Sequence, residues 1–339
     1  MYAMRRLLGT VALLWAMTIL VFVLFFVAPT DPARLSCGQE CSAAAIASNR
    51  VALGYDKPIV TQYLDFLGGL VHERRFPEDA RLQRARPDQV VHCAAPCLGY
   101  STFEGAQVLP YLTRRLPVTV SLAVGAYLLS AGAGIAFGLV AAARRGRWAD
   151  RSIVAGAVGL SSLPVFFLGV LFYNVLHIRY GIFPSPGYHP FSDGPLAWAN
   201  GMLLPCLVLA LIHAAGYVRT TRAHVLDALG EDYVRYARAK GVGERTVLVR
   251  HALRIALTPI VTLSALDVSL LLGGAPVVEY IFNLHGLGRA AVTSAVAFDL
   301  PMITGILLIT GFFTVLANLV ADLLYGVIDP RVRLGQRPA

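Results

Sequence analysis

Charge is scarce in this chain. Asp, Glu, Lys and Arg make up 14% of its 339 residues, while 56% are hydrophobic; soluble domains carry roughly a quarter charged residues. Lysine is nearly missing: Lys57 and Lys240 are the only two, so the net charge of +9 rests on arginine. The basic residues are not interleaved with aromatics on one surface, as nucleic-acid binding would require. They cluster instead in short loops between long apolar runs. That distribution argues against nucleic acid as a partner and for the lipid bilayer.

Catalytic equipment is missing too. There is no Gly-x4-Gly-Lys-Ser/Thr, because Lys57 precedes Pro58 and Lys240 precedes Gly241, so the chain has no phosphate cradle of that kind. No Gly-x-Ser-x-Gly elbow and no paired carboxylates suited to hydrolysis occur. The eight histidines are scattered, and His177 and His213 each stand in an apolar run without a second ligand four residues on. Packing roles are expected for both. No catalytic, cofactor or metal residue is expected, and the chain reads as non-catalytic.

What is present is a series of membrane-length apolar runs. The first, 7–27, follows Arg5 and Arg6, and it is longer than a signal-peptide core and lacks a small-x-small cleavage site. It is long enough to span a bilayer, so it reads as a retained first helix with the amino terminus inside. Further spans are expected over 116–143, 152–177, 201–218, 258–278 and 301–326, giving an all-helical integral membrane protein of six transmembrane helices. The second is uncharged and rich in Gly and Ala, which permits close helix contact. Arg144, Arg145, Arg147 and Arg151 place the next loop in the cytoplasm by the positive-inside rule. The Pro- and Gly-rich stretch 180–200 reads as an external loop. The loop 219–257, with eight basic residues against four acids, and the tail 327–339 read as internal. The chain thus divides into 1–28, an extracytoplasmic segment 29–115, a core 116–326 and the tail.

The segment 29–115 is too long for the charge rule to act on its arginines. Ser42 is positioned to cap a helix over Ala43–Ala52. Two cysteine pairs, Cys37 with Cys41 and Cys93 with Cys97, share the spacing Cys-x3-Cys. On an oxidising exterior four cysteines suggest two disulfides in one of three connectivities. Pro96 favours a turn, so the local pairs are expected; cross-pairing and a four-thiolate zinc site are the alternatives. Cys206 stands in an apolar run and reads as inert packing.

The loop 219–257 is the most informative stretch. Leu226, Leu229, Tyr233 and Tyr236 recur at helical spacing. Gly241 stands where a helix needs a left-handed end. From Glu244 a second amphipathic run carries Val247, Leu248, Ala252 and Ile255 on one side. Two short helices around a glycine, lying beside the membrane with charged tips, suit docking.

Asp267 stands mid-span, where an acid costs roughly 2.5–3.5 kcal/mol. It either lines a translocation path, contacting a cationic or amino-terminal group, or is a hydrogen-bonded acid tying helices together. Glu279 and Asp322 fall at span ends, where interfacial solvation is expected to make them less costly.

The run Tyr233-Val234-Arg235-Tyr236-Ala237-Arg238-Ala239-Lys240-Gly241, followed by Arg250-His251-Ala252-Leu253 and Pro259, resembles the coupling segment of ATP-binding-cassette importer permeases, above all the dipeptide/oligopeptide subfamily. The family signature is Glu-Ala-Ala, three residues, then Gly; here Arg235-Tyr236-Ala237 fill the first three places, and Ala237 and Gly241 are the literal matches. Further stretches similar to the family are Asp31-Pro32-Ala33-Arg34, Leu53-Gly54-Tyr55-Asp56-Lys57-Pro58, Gln62-Tyr63-Leu64, Ser162-Leu163-Pro164, Gly286-Leu287-Gly288-Arg289 and Asp299-Leu300-Pro301. His285 stands where proline is common, and over 72–101 the pattern is lost, as in an insertion.

The resemblance implies a type I importer permease with an enlarged extracytoplasmic segment between helices 1 and 2. It implies half of a peptide translocation pathway, working by alternating access in a bacterial plasma membrane with both termini cytoplasmic. The implied partners are a second homologous permease, two ATPase subunits that hydrolyse the ATP, and an extracytoplasmic binding protein. ATPase contact is implied for Glu231, Tyr233, Arg235, Ala237, Arg238, Gly241 and His251. Path or gate positions are Asp267, Gly273, Gly274 and Glu279. Nickel or another small solute is the alternative cargo. An ion-gradient-driven secondary transporter is the rival class, and it would predict several intramembrane acids, broken helices or an inverted repeat.

Overall fold

Helix formation over the apolar runs follows from the solvent: lipid offers the backbone no hydrogen-bond partner, so each span must satisfy its own N–H and C=O groups. The computed structural model describes residues 2–24, 31–35, 42–272 and 276–328, and helices dominate them. Among these residues four helices are long and apolar enough to cross a membrane, or five if the bent pair Trp148–Ser161 and Val165–Arg179 counts as one span. Leu7–Phe22 is a shorter apolar helix.

Three expectations are corrected. The expected span 152–177 is not straight: its two halves meet at 101°. Ser162 ends the first half, its hydroxyl donating to the Val158 carbonyl, and Pro164 caps the second without an N–H to continue the ladder. The expected span 201–218 is part of one 36-residue helix, Pro195–Gly230. At 1.5 Å per residue that is roughly 54 Å, well beyond the 30 Å of a hydrocarbon core. The fold is also not purely helical. Strands β1 (Arg74–Phe76) and β2 (Val91–Cys93) pair antiparallel with Arg74 opposite Cys93, and β3 (Tyr100–Ser101) pairs with β4 (Ala106–Gln107). Runs of two or three residues are too short to show a period-two pattern in sequence.

The chain divides into two units, Met1–Thr10 with Val118–Leu284 and Phe313–Ala339, and Val11–Pro117 with His285–Phe312. In the first unit the core gathers Leu122, Ala126, Leu168, Met202, Leu209 and Phe282. Cys206 is buried there as a free thiol, in agreement with a packing role. The helices Val108–Ala143 and Pro195–Gly230 touch backbone to backbone. A Cβ built on Gly134 would lie 2.3 Å from Tyr217 Cβ, and one on Gly138 would lie 2.8 Å from the Val218 carbonyl oxygen. The Gly- and Ala-rich composition of this span is therefore used for contact, as expected.

In the second unit Phe66, Val108, Leu112, Leu287, Met302 and Ile306 form the core. Ser42 caps the helix Ala43–Ala52, accepting from the Ala45 N–H. Cys93 and Cys97 are joined in a disulfide beside Phe76 and Tyr100; Cys37 and Cys41 lie outside the described residues. Asp299, 4% exposed, caps the helix that begins at Leu300, accepting from the Met302 N–H at 3.3 Å and from the Ser101 hydroxyl. Burial raises its carboxyl above the ordinary value, with those two hydrogen bonds opposing. The same physics lowers His285, through burial and the charges of Arg289 and Arg115.

The helix seam yields a test. Gly134→Val forces a branched side chain into Tyr217 and should cost about 1–3 kcal/mol, read as a lower Tm of the detergent-solubilised protein. Gly132→Ala, on the same helix but with nothing within 4 Å of the added Cβ, should leave Tm unchanged or raise it.

Candidate coupling segment and membrane acids

The helix Pro195–Gly230 ends because Glu231 adopts an extended conformation, φ −73° and ψ 148°. The chain re-enters a helix over Asp232–Ala239 and leaves it at Gly241, φ +81°. There the Gly241 N–H donates to the Arg238 carbonyl at 2.9 Å and the Val242 N–H to the Ala237 carbonyl at 3.2 Å. These paired bonds close a helix end around a left-handed residue, the conformation expected of Gly241. A short helix, Glu244–Thr246, then passes into a π-type turn, Val247–Ala252, and on into the helix Leu253–Leu272.

The two amphipathic faces differ from expectation. The break at Glu231 interrupts the Leu226–Tyr236 face, so Val234, fully buried, anchors the small helix while Tyr236 stands 71% exposed. In the second run Val247 and Ala252 are buried but Ile255 is 51% exposed, and Ala256 is buried in its place. A π-type turn explains this, since it spaces same-face residues five apart instead of four.

Of the implied ATPase contacts, Glu231, Tyr233, Arg235, Arg238 and Gly241 are exposed, and Ala237 and His251 are half-buried. Arg238 is not a lone cation. Its guanidinium donates to both carboxylate oxygens of Glu244, at 2.7 and 3.3 Å, and so fastens the two small helices across Gly241. Arg235 lies 3.4 Å from Asp232.

A stronger ion pair fixes the base of this segment. Arg222 donates Nε to Asp150 Oδ1 at 2.6 Å and an η nitrogen to Oδ2 at 2.8 Å, and the Gly146 N–H adds a third bond at 2.9 Å. Asp150 is 3% exposed. The pair ties the arginine-rich turn after Ala143 to the helix that leads into the coupling segment. Sequence reading missed it, although one acid amid four arginines at a helix start was the available signal.

Asp267 and Glu279 are both held; the side chain of Asp322 lies outside what the structure describes. Asp267, 8% exposed, accepts from His213 Nδ1 at 3.3 Å, so His213 does have a partner, on another helix. Glu279 is not an interfacial acid as expected: it is fully buried in the helix Pro276–Ile281, and Thr119 donates to it at 2.6 Å. Gly273 and Gly274 lie outside the described residues.

These features define a multi-pass helical membrane protein that carries a two-helix appendage at the end of the 36-residue helix Pro195–Gly230. The chain belongs to the family of binding-protein-dependent transport system inner membrane components, matched over residues 134–334; residues 1–123 match the N-terminal part of such components. It is 38% identical over 330 residues to a putative peptide transport system permease protein of Brucella abortus, covering 97% of this chain and 98% of that one. It is 34% identical to the probable peptide ABC transporter permease protein y4tP of Sinorhizobium fredii, over 98% and 99% of the two chains. To the glutathione transport system permease protein GsiC of Escherichia coli K12 it is 35% identical, over 98% of each.

The Asp150–Arg222 pair should be energetically coupled. Asp150→Ala and Arg222→Met should each cost about 2 kcal/mol, below the fully buried figure because Arg222 keeps some exposure, and the double variant should cost less than their sum. Thermal unfolding of the four proteins in one detergent reads this out. Strict additivity would remove the pair as a structural clamp.

Proposed function

We propose that this chain is the transmembrane permease subunit of an ATP-driven importer. It forms half of the translocation pathway for di- or oligopeptides delivered by an extracytoplasmic binding protein. The carrying observation is the segment 219–257: a small helix closed at Gly241, clamped by Arg238 and Glu244, standing at the end of an unbroken helix. Its relatives named as peptide and glutathione permeases support the peptide class.

In this reading the first run, the bent pair taken as one span, and four further helices make six spans. Both termini face the cytoplasm, and 29–115 is an enlarged external segment with an insertion around 72–101. A second homologous permease completes the pathway, and two ATPase subunits receive the coupling segments. Closure of the ATPases on ATP displaces each segment, and the rigid helix behind it carries the displacement into the membrane. Asp267 then acts as a tie to His213 whose strength depends on which helices meet. Gly273, Gly274 and Glu279 belong to the gate. Nickel or another small solute is the alternative cargo for the same machinery. The broken span at 162–164 and the buried acids Asp267 and Glu279 are features that a gradient-driven carrier also predicts, and the family match outweighs them.

Two experiments test the reading. Gly241→Val resists a positive φ, so the complex should still assemble but lose most substrate-stimulated ATP hydrolysis. Arg238→Glu should do the same, and the swap Arg238→Glu with Glu244→Arg should restore it, because the clamp is re-formed with reversed sign. Normal stimulation in Gly241→Val removes the segment from coupling.

Orientation is tested with impermeant thiol reagents on intact cells. A cysteine placed at Tyr188 should label above the unsubstituted background, and one at Ala149 should not. Reversed labelling overturns the topology.

A further inference from the structure

The turn between the helices Val108–Ala143 and Trp148–Ser161 presents positive charge that the coupling mechanism leaves unused. Arg144, Arg145, Arg147 and Arg151 are all exposed, and none forms an ion pair or a side-chain hydrogen bond among the described residues. Asp150 is the only acid between 141 and 190, and it already accepts from Arg222 twice and from the Gly146 N–H. The turn is nevertheless held in shape. Gly146 takes φ +75°, the Arg147 N–H donates to the Arg144 carbonyl at 3.0 Å, and the Asp150–Arg222 pair pins the turn to the helix Pro195–Gly230. Beside the arginines Trp148 is 82% exposed, and an indole of this kind is most at home at the membrane–water interface.

The depth of the turn agrees. The stretch 118–143 carries no charge and, at 1.5 Å per residue, is about 39 Å long. A bilayer with its headgroups is roughly 40–45 Å thick, so a helix of this length delivers the turn to the headgroup layer. The coupling segment stands further out. It departs after Gly230, about 12 Å along the helix axis beyond Arg222, the residue that holds the turn.

We propose that the turn 144–151 binds the headgroup of an anionic phospholipid. The exposed guanidiniums offer paired N–H donors to phosphodiester oxygens, and the Trp148 indole lies at the same level. A zwitterionic headgroup brings its own cation to the same place and gains less. The site rests on the chain being a membrane protein; it depends neither on the cargo nor on which face of the membrane the turn occupies.

The test uses the assembled transporter, delipidated in detergent and titrated with phosphatidylglycerol or phosphatidylcholine, with bound lipid counted by native mass spectrometry. Phosphatidylglycerol should bind more tightly. In the triple variant Arg144→Gln, Arg145→Gln, Arg147→Gln its affinity should fall about tenfold, because each basic residue near an anionic headgroup adds to the attraction. Removing the same number of charges with Arg81→Gln, Arg84→Gln and Arg86→Gln, all exposed in the second unit, should leave the affinity unchanged. Both variants keep Asp150 and Arg222, so Tm in phosphatidylcholine should match the parent. The rise in Tm that phosphatidylglycerol gives the parent should be lost in the first variant alone. In the unaltered protein a headgroup-photoactivatable phosphatidylglycerol should label 144–151. Equal affinity for the two lipids, equal loss in both triple variants, or labelling confined to other residues overturns the site. Displacement of the lipid by millimolar glycerol phosphate would make it a site for a soluble anion and overturns it too. Release of the ATPase subunits from the first variant would assign the arginines to a protein contact, with the same result.

Discussion

Close approach of two helices at Gly134 and Gly138 is the contact on which the first unit depends. Between helices in lipid there is little hydrophobic drive, so packing relies on surfaces that let backbones meet. Here the faces of Tyr217 and Thr221 rest where side chains would otherwise stand. The Asp150–Arg222 pair fastens the same helix near its coupling end. The helix is thus held at two places along its length and is unbroken from Pro195 to Gly230.

Scarcity of charge goes with defined partners for the buried acids described in the first unit. In the first unit Asp150 meets an arginine, Asp267 a histidine and Glu279 a threonine, in each case on a different helix. An acid in an apolar setting needs such a partner to offset lost hydration. The partner also makes the acid a tie between helices, so the buried acids of this unit act as cross-links. The acids of the coupling segment are exposed and act on the surface. Glu244 and Asp232 pair with Arg238 and Arg235 over short distances, which shapes the segment while its net charge stays basic.

Much of this was legible in the sequence, because hydropathy and arginine clusters respond to the bilayer directly. The left-handed Gly241, the packing role of Cys206, the cap at Ser42 and the local Cys93–Cys97 pair all follow from short-range rules. Long-range facts did not. Pro164 marks a break, but the 101° angle depends on what each half packs against. Glu279 looked interfacial by position, and its full burial depends on Thr119, far away in the chain. The strands near Phe76 are held by pairing across a hairpin, not by local pattern.

The π-type turn at Val247–Ala252 has an effect that reaches well past the turn. One extra residue in that turn rotates everything after it by about 100° relative to a continuous α-helix. Downstream, the buried positions are Ala256, Ile260, Asp267 and Leu271, while Ile255, Leu266 and Leu270 are 51%, 58% and 66% exposed. These two sets are two faces of one helix, related by a one-residue shift. With the turn wound as ordinary α-helix and Val247 kept in place, the face of Ile255 and Leu266 would turn inward. Asp267 would then be carried away from His213, an unpaired acid on a helix meant for lipid. The re-phasing near the coupling segment is therefore what aims the membrane acid at its partner. A change in the winding of those few residues would be felt at Asp267 without any other part of the helix having to bend.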